Sequence, residues 1–343
     1  MTIGILYCKP PEALPESPAG NPDDEDVIVE VIAVEGSLRR LGRTFERIYV
    51  EDDIGPVVAW AKRHPDGIVF NLCESFRGSN LAHMNMPALL ELLGLPYTGS
   101  TPLACGLTTH KFIAKSVLAG AGLPTPESAL FSLGEAPKAA PSWGFPAIVK
   151  PLLEDASVGI DEESVVRSVA DLAARVAYVH ERYFQAAIVE RYVHGREINI
   201  AVVGNDPPRA LPLSEIEFHD YADGKPRVVG YRAKWVHDSF EYKHTKGICP
   251  ADVPAPLARS MQEMAVDACR AFGCRDYARV DFRLDESMRP FILEVNANPD
   301  ITDGAGLARA CRASDLGYDG LIRTILDGAL ARAASRLEGV KTT

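Results

Sequence analysis

The sequence predicts an α/β chain that opens with a parallel-sheet domain and continues into a mixed α+β part. Three observations carry that expectation. Short apolar runs alternate with a helical pattern over residues 3–72. A turn-rich stretch, Tyr97-Thr-Gly-Ser-Thr-Pro102, interrupts the chain. Two neighbouring strand-like runs, 277–284 and 290–296, are separated only by a polar turn. At 343 residues the chain is too long for one comfortable core and suits two or three packed subdomains.

Residues 3–7 form the first expected strand. The prolines that follow, Pro10, Pro11, Pro15, Pro18 and Pro22, fit neither a helix interior nor a central strand, because proline has no amide hydrogen to donate. A helix is expected over 26–41, with Val27, Val31, Val34, Leu38 and Leu41 at helical spacing and Gly42 as its stop. Strands at 45–50 and 67–72 complete a small parallel sheet. Beyond the turn-rich boundary a helix is expected over 108–119, stopped by Gly120 and Gly122 and closed off by Pro124 and Pro126. A strand at 145–150, a loop at 155–159 and a helix over 169–183 follow, the helix capped by Ser168 with Asp171 behind it. Strands are expected at 187–191 and 197–203. Residues 218–250 are charged and aromatic with few apolar runs, which predicts a long functional loop. A helix over 256–272, ended by Gly273, leads to the last two strands, and no internal repeat is present.

Composition narrows the function classes. A net charge of −11 disfavours nucleic acid as a partner, since phosphate backbones attract basic surfaces, yet one local cluster of lysines and arginines can still serve an anionic nucleotide. No apolar run reaches the roughly 18 residues a membrane span needs, and the start of the chain lacks a basic front and long apolar segment, so neither membrane insertion nor secretion is expected. Seven scattered cysteines, an odd number, fit reduced and mostly buried thiols in a cytoplasm.

The last two strands carry the chemistry. Alternate residues of a strand face opposite sides. Ala278, Val280, Phe282 and Leu284 therefore make one apolar face, with Arg279 and Asp281 on the other. In the second strand Phe291, Leu293 and Val295 are expected on the apolar face, with Glu294 and Asn296 opposite. A hairpin that pairs Asp281 with Glu294 also pairs Arg279 with Asn296, which gathers all four polar groups on one surface. Two carboxylates held so close need a proton or a cation between them. Two readings fit this pattern equally: a site for Mg²⁺ bound together with substrate phosphates, or a merely solvated sheet face.

The order of the motifs adds to that. Ile148-Val-Lys-Pro151, Ser157-Val-Gly159, Val189-Glu-Arg-Tyr-Val193, Gly195-Arg-Glu197, Ala278-Arg-Val-Asp281 and Leu293-Glu-Val-Asn-Ala-Asn-Pro299 resemble, in this order, the ATP-grasp superfamily. More closely the chain resembles D-alanine–D-alanine ligase and its paralogues, with Tyr97-Thr-Gly-Ser100 and Gly122-Leu-Pro-Thr-Pro126 worded as in that family. The resemblance implies a two-lobed ATP-grasp fold after the N-terminal domain: residues 1–101, 102–188 and 189–343, the last with a lid at about 218–250. It implies ATP and Mg²⁺ as cofactors (two ions, with Mn²⁺ as a substitute), and small carboxylate and amine substrates joined through an acyl-phosphate. A homodimer follows by family analogy. Lys111 and Lys150 would contact the phosphates, and Ser157 lies in the loop that covers them. Glu190, Arg191, Tyr192 and Val193 would form the adenine hinge, and Glu197 would hold the ribose. Lys234 would touch the transferred phosphate from the lid. Asp281, Glu294 and Asn296 would be the metal ligands, and Arg279 would steady the charge that builds up in the transition state.

The departures from the family fall on the amino-acid pocket. The family reads Asn-Thr-x-Pro-Gly-Met-Thr and then a serine after the metal-binding glutamate. Here the run is Asn296-Ala-Asn-Pro-Asp-Ile-Thr302 with no serine, and Asp300 stands in place of a glycine. A carboxylate there repels an incoming carboxylate. In Leu72-Cys-Glu-Ser-Phe-Arg-Gly78, Glu74 stands near the family's histidine, and Glu25 or Asp26 is a candidate for a substrate ammonium. Three functions are therefore expected alternatives: a carboxylate–amine ligase for an amino acid or small peptide, an authentic D-alanine–D-alanine ligase, and a non-catalytic nucleotide-binding regulatory protein.

Overall fold

The computed structural model describes the backbone of residues 1–8 and 22–341, with side chains for residues 1–8 and 27–335. The expected proline-rich loop and the candidates Glu25 and Asp26 lie outside these described side chains. The first strand, β1 (Ile3–Cys8), is buried along its whole length, as a central parallel strand covered on both faces must be. It pairs in parallel with β2 (Phe45–Val50) and β3 (Ile68–Asn71), giving the order β2-β1-β3. Helix α1 (Pro22–Arg40) covers this sheet with Val31, Val34 and Leu38, all fully buried. Two helices not expected from the pattern, α2 (Gly55–Arg63) and α3 (Asn85–Leu92), complete the N-terminal part.

The helix expected over 108–119 is two helices, α4 (Pro102–Thr109) and α5 (Lys111–Gly120). Thr101 caps α4, its Oγ1 accepting from the Ala104 amide at 3.1 Å, with Pro102 at the first helical position. The break comes at His110, whose ψ of 89° leaves the helical range while its ring accepts from the Ile113 amide.

A second sheet contains β4 (Ser128–Phe131), β5 (Ala147–Pro151), β6 (Val165–Val166) and β7 (Ala187–Arg191) in the order β4-β7-β5-β6. Helix α6 (Val169–Tyr183) packs on it, capped by Ser168 as expected, Oγ accepting from the Asp171 amide at 3.1 Å. Because β7 runs to Arg191, the expected division at 188/189 falls inside a strand.

The third sheet has β8 (Arg196–Val203) at its centre, β9 (Arg209–Ala210) beside it, and β10 (Ser214–Phe218) and then β11 (Thr245–Ile248) on one side. On the other side lie β12 (Tyr277–Leu284) and β13 (Pro290–Asn296). Residues 218–250 are not one long loop: they hold α7 (Tyr231–Trp235), α8 (Phe240–His244) and strand β11. Helix α9 (Ala255–Phe272) backs the third sheet and ends at Gly273, φ 70°. Helices α10 (Gly306–Arg312) and α11 (Gly317–Lys341) return to the start of the chain. Leu321, Ile322, Ile325 and Leu326 of α11 share one core with Ile3, Ile5 and Val31. No described helix is long and apolar enough to cross a membrane.

Candidate active site

The site grows from the β12–β13 hairpin. Asp281 pairs with Glu294 and Arg279 with Asn296, the register read from the alternation alone. A β-bulge follows, since the next pair is Phe282 with Ile292 and Leu293 is the extra residue. The expected apolar face of β13 is thereby corrected. Ile292 and Val295 enter the core, whereas Phe291 and Leu293 are only half-buried. The bulge breaks the two-residue period between them and leaves Glu294 on the side of Asp281.

Arg279 donates to both oxygens of Asp281 at 2.8 Å and lies 3.7 Å from Glu294. Asn199 on β8 donates to Asp281 Oδ1 at 2.8 Å. Burial works to raise the Asp281 carboxyl, but the Arg279 charge and its two hydrogen bonds outweigh it and hold the pKa below the usual carboxylate range. Burial likewise works against the Arg279 guanidinium, and Asp281 and Glu294 overcome it and raise its pKa. One cation against two carboxylates leaves the cluster one negative charge in excess. Among the described residues no three His, Cys, Asp or Glu side chains gather into a metal cage. The donors are two carboxylates and the amide of Asn296, whose Oδ1 also accepts from the Asn298 amide at 2.9 Å. This hard-oxygen set with an uncompensated charge fits Mg²⁺ shared with phosphates better than a cation enclosed by protein alone.

Across the cleft, Glu190 on β7 is almost fully buried between two lysines: Lys150 Nζ at 3.2 Å and Lys115 Nζ at 3.3 Å from its Oε2. Burial would raise the Glu190 carboxyl, and the two ammonium groups lower it instead. Its side chain is thus committed to lysines, and its main chain is paired in the sheet between Ser128 of β4 and Ile148 of β5. Lys115 was not anticipated. Its ammonium also donates to the carbonyls of Leu293, at 2.6 Å, and Ile292, fastening α5 to the bulge. Burial pushes its pKa down to about 8, against the pull of Glu190. A lysine four places after Lys111, on a helix with apolar patterning, was the signal for it. Lys111 donates to the Glu154 carbonyl and stands 4.0 Å from Asp155, which is in turn within electrostatic reach of Glu294 and Lys234. Lys111, Lys234 and Glu294 therefore all act on Asp155.

The loop after β5 and the 218–250 segment close on each other. Ser157 Oγ donates to the Val229 carbonyl at 2.6 Å, Trp235 Nε1 to the Ala156 carbonyl at 3.0 Å, and the Tyr231 amide to the Ile160 carbonyl at 3.0 Å. Ala156, Ser157 and Gly159 all have positive φ. A Cβ on Gly159 would lie 2.5 Å from Pro151, so only glycine lets this loop fold back over its strand. Lys234 sits on α7, which this docking places over the cleft.

At the expected hinge, the amides of Arg191 and Tyr192 donate to the carbonyls of Glu127 and Pro146. The Arg191 side chain pairs with Glu127 and covers Phe291, 4.7 Å from the ring centroid. Val193 is buried, and the Tyr192 hydroxyl accepts from the Arg227 amide at 3.1 Å. Glu197 accepts from Arg283 Nη2 at 2.7 Å. Arg283, also unanticipated, is buried and donates to the Gly195 carbonyl at 3.1 Å. It is the next residue after Arg279 and Asp281 on the polar face of β12, so the alternation contained it.

On the acceptor side, Glu74 and Asp300 are both exposed. Asp300 accepts from the Thr302 amide at 2.7 Å and from its hydroxyl at 3.2 Å. Glu30 of α1 is only 5% exposed, and its Oε1 accepts from the Ile301 amide at 3.0 Å. Burial first, and then the charges of Glu74 and Asp300, raise its pKa well above the carboxylate range. Sequence reasoning missed Glu30, although an acid inside the apolar stripe of Val27, Val31 and Val34 marks it. A cavity of about 460 Å³ lies between Arg175 and Asp161 and the residues Gly230, Arg232 and Ala233 of the 218–250 segment, and none of the sequence-predicted site residues lines it.

The family model described as D-ala D-ala ligase C-terminus matches residues 117–327. A protein of Sinorhizobium fredii described as uncharacterized, y4sG, is 34% identical over 96% of this chain and 93% of its own length. D-alanine–D-alanine ligases of Desulforudis audaxviator and Bordetella avium are 35% and 36% identical, over 69% and 73% of this chain and 74% and 75% of theirs. Among solved structures, the D-alanine–D-alanine ligase of Bacillus anthracis complexed with ATP superposes with a TM-score of 0.74 at 22% identity, covering 98% of this chain and 99% of that one. The corresponding enzyme of Coxiella burnetii gives 0.71 at 19%, covering 100% and 97%.

Proposed function

The chain belongs to the D-alanine–D-alanine ligase family, which makes it an ATP-grasp ligase forming carbon–nitrogen bonds, and we propose that it joins an amino acid or small peptide to an amine. The observation that carries this reading is the cross-strand pairing that sets Arg279, Asp281, Glu294 and Asn296 on one face.

In the reaction proposed, a substrate carboxylate oxygen attacks the γ-phosphorus of ATP and ADP leaves. The amine nitrogen then attacks the acyl carbon of the mixed anhydride, inorganic phosphate leaves, and the nitrogen gives up a proton as the amide forms. Lys111, Lys150 and the lid residue Lys234 hold the phosphates as point charges, and the loop around Ser157 covers them. Glu190 acts by fixing the position of Lys150, while the main chain of residues 190–193 and the carboxylate of Glu197 hold the adenosine. Asp281, Glu294 and Asn296 would hold Mg²⁺, which when bound offsets the repulsion between phosphate oxygens. Arg279, already oriented by Asp281, faces the charge that grows on the acyl centre and costs no reorganisation when it does. The hydrogen bonds from Ser157, Trp235 and Tyr231 keep the lid down, excluding the water that would hydrolyse the anhydride.

Release of phosphate from ATP should depend on added amino acid in a panel of D- and L-forms. Silence across the panel while ATP still binds would instead favour the non-catalytic alternative. Because Glu74 stands at the acceptor end, Glu74→Gln is expected to change the order of preference in that panel while leaving saturation by ATP unaffected. An identical order in both proteins would show that Glu74 lies outside the pocket.

A further inference from the structure

The polar face of β12 continues past Asp281. Arg279, Asp281 and Arg283 alternate along it, and the register sets Asn199 of β8 beside Asp281 and Glu197 beside Arg283. Glu197 is also within electrostatic reach of Asp281. Arg283 is only 4% exposed and spends its donors on three separate stretches of chain. Nη1 donates to the Gly195 carbonyl at 3.1 Å, and Nη2 to Glu197 Oε2 at 2.7 Å and to the Arg227 carbonyl. The guanidinium lies 6.0 Å from the ring centroid of Tyr192 and 5.8 Å from that of Phe218.

The contacts on either side of it are fixed in turn. Gly195 has φ 144°, and a Cβ there would collide with the Leu284 carbonyl, so only glycine brings this turn onto the end of β12. The Arg227 amide donates to the Tyr192 hydroxyl at 3.1 Å, and that hydroxyl donates back to the Arg227 carbonyl at 3.2 Å. Phe218 and Arg227 belong to the 218–250 segment, whereas Tyr192, Gly195 and Glu197 belong to the expected hinge and ribose contact. One buried side chain joins the two. Arg283 holds Glu197 by Oε2 alone. The other oxygen, Oε1, has no hydrogen-bond partner among the described residues and is not sealed from solvent.

We propose that Arg283 is a positioning residue of the nucleotide site: it orients Glu197 toward the ribose and, through Arg227, links the seating of the sugar to the placement of the 218–250 segment. The inference rests on the ligase reading above, in which Glu197 holds the ribose, and adds the residue on which that contact depends. A lysine would not replace it, since an ammonium has no planar fork to serve a carboxylate and two carbonyls at once.

The test is calorimetric titration of the full-length protein with ATP, 2′-deoxy-ATP and 3′-deoxy-ATP, with Mg²⁺ and without amino acid. Trypsin digestion at saturation with each nucleotide, followed at Arg232 and Lys234 of α7, accompanies it. The unaltered protein should bind ATP about tenfold more tightly than at least one deoxy analogue, the worth of a hydrogen bond to a charged acceptor. ATP should also slow cleavage more than that analogue does. In Arg283→Met the affinity for ATP should fall to that of the analogue, whose own affinity changes by less than about threefold. A role in folding alone would weaken all three nucleotides alike. Arg283→Lys keeps a cation beside Glu197, so the discrimination should hold to within about threefold while protection from trypsin no longer depends on the sugar. That variant still tests the link if the methionine variant does not fold. Discrimination unchanged in Arg283→Met, or an equal loss for every nucleotide, would overturn the inference and leave the ligase reading standing. So would sugar-dependent protection that persists in Arg283→Lys. Binding by the unaltered protein that ignores both hydroxyls would remove Glu197 from the ribose and the inference with it, and no binding of ATP at all would sink the ligase reading too.

Discussion

Replacing Arg279 with methionine is expected to lower both stability and turnover. The guanidinium holds both oxygens of Asp281, and the side chains are 20% and 10% exposed. Methionine keeps much of the volume and removes the charge, leaving Asp281 with Asn199 as its polar contact from β8. Breaking a buried pair from one side costs about 3–5 kcal/mol, because the remaining charge stays desolvated. Loss of a preorganised group facing developing charge lowers kcat by about 10²- to 10³-fold. Urea melts and steady-state phosphate release measure the two effects separately. Retention of near-normal turnover at a temperature where the variant is folded would remove Arg279 from the catalytic role. Acid should erode the same pair. The Asp281 pKa is depressed in the folded protein, so its contribution is present above the unfolded value of 3.8 and is lost as pH falls through the folded one.

Glu294→Gln is expected to do the opposite on one axis. Its carboxylate is 42% exposed and only 3.7 Å from Arg279, so the fold should change by no more than about 0.5 kcal/mol. Turnover should nevertheless fall by about 10²-fold or more, since an amide oxygen carries no net charge to offset a cation held beside Asp281. The concentration of Mg²⁺ needed for half-maximal phosphate release should rise in parallel. A variant that lost stability while its Mg²⁺ dependence stayed the same would show that Glu294 braces the hairpin and does not hold the ion.

Comparing the two variants separates what each side of the hairpin does, and that distinction depends on features of differing legibility. Period-two alternation placed Arg279, Asp281, Glu294 and Asn296 correctly, and the register between the strands followed from the short turn that joins them. The same reasoning misplaced Leu293, because a bulge is an extra residue that alternation has no means to represent. The helices that matched closely, α6 and α9, are those with a cap or a glycine stop written beside an apolar stripe. The stretch expected as a loop holds two five-residue helices and a four-residue strand, too short for any periodicity to register.

What the sequence determined by itself was the shared face of Arg279, Asp281, Glu294 and Asn296 on the last hairpin, together with the α/β class of its beginning. Those features depend on neighbours within a strand, a turn or a motif, where spacing alone decides direction. Only the tertiary structure decided that Lys115 clamps Leu293, 178 positions away, that Arg283 locks Glu197, and that Glu30 reaches Ile301, 271 positions away. A pattern states which face of an element is turned inward. It does not state which distant element covers that face, and a buried charge takes its meaning from whether the covering surface brings a partner or leaves the place to a ligand.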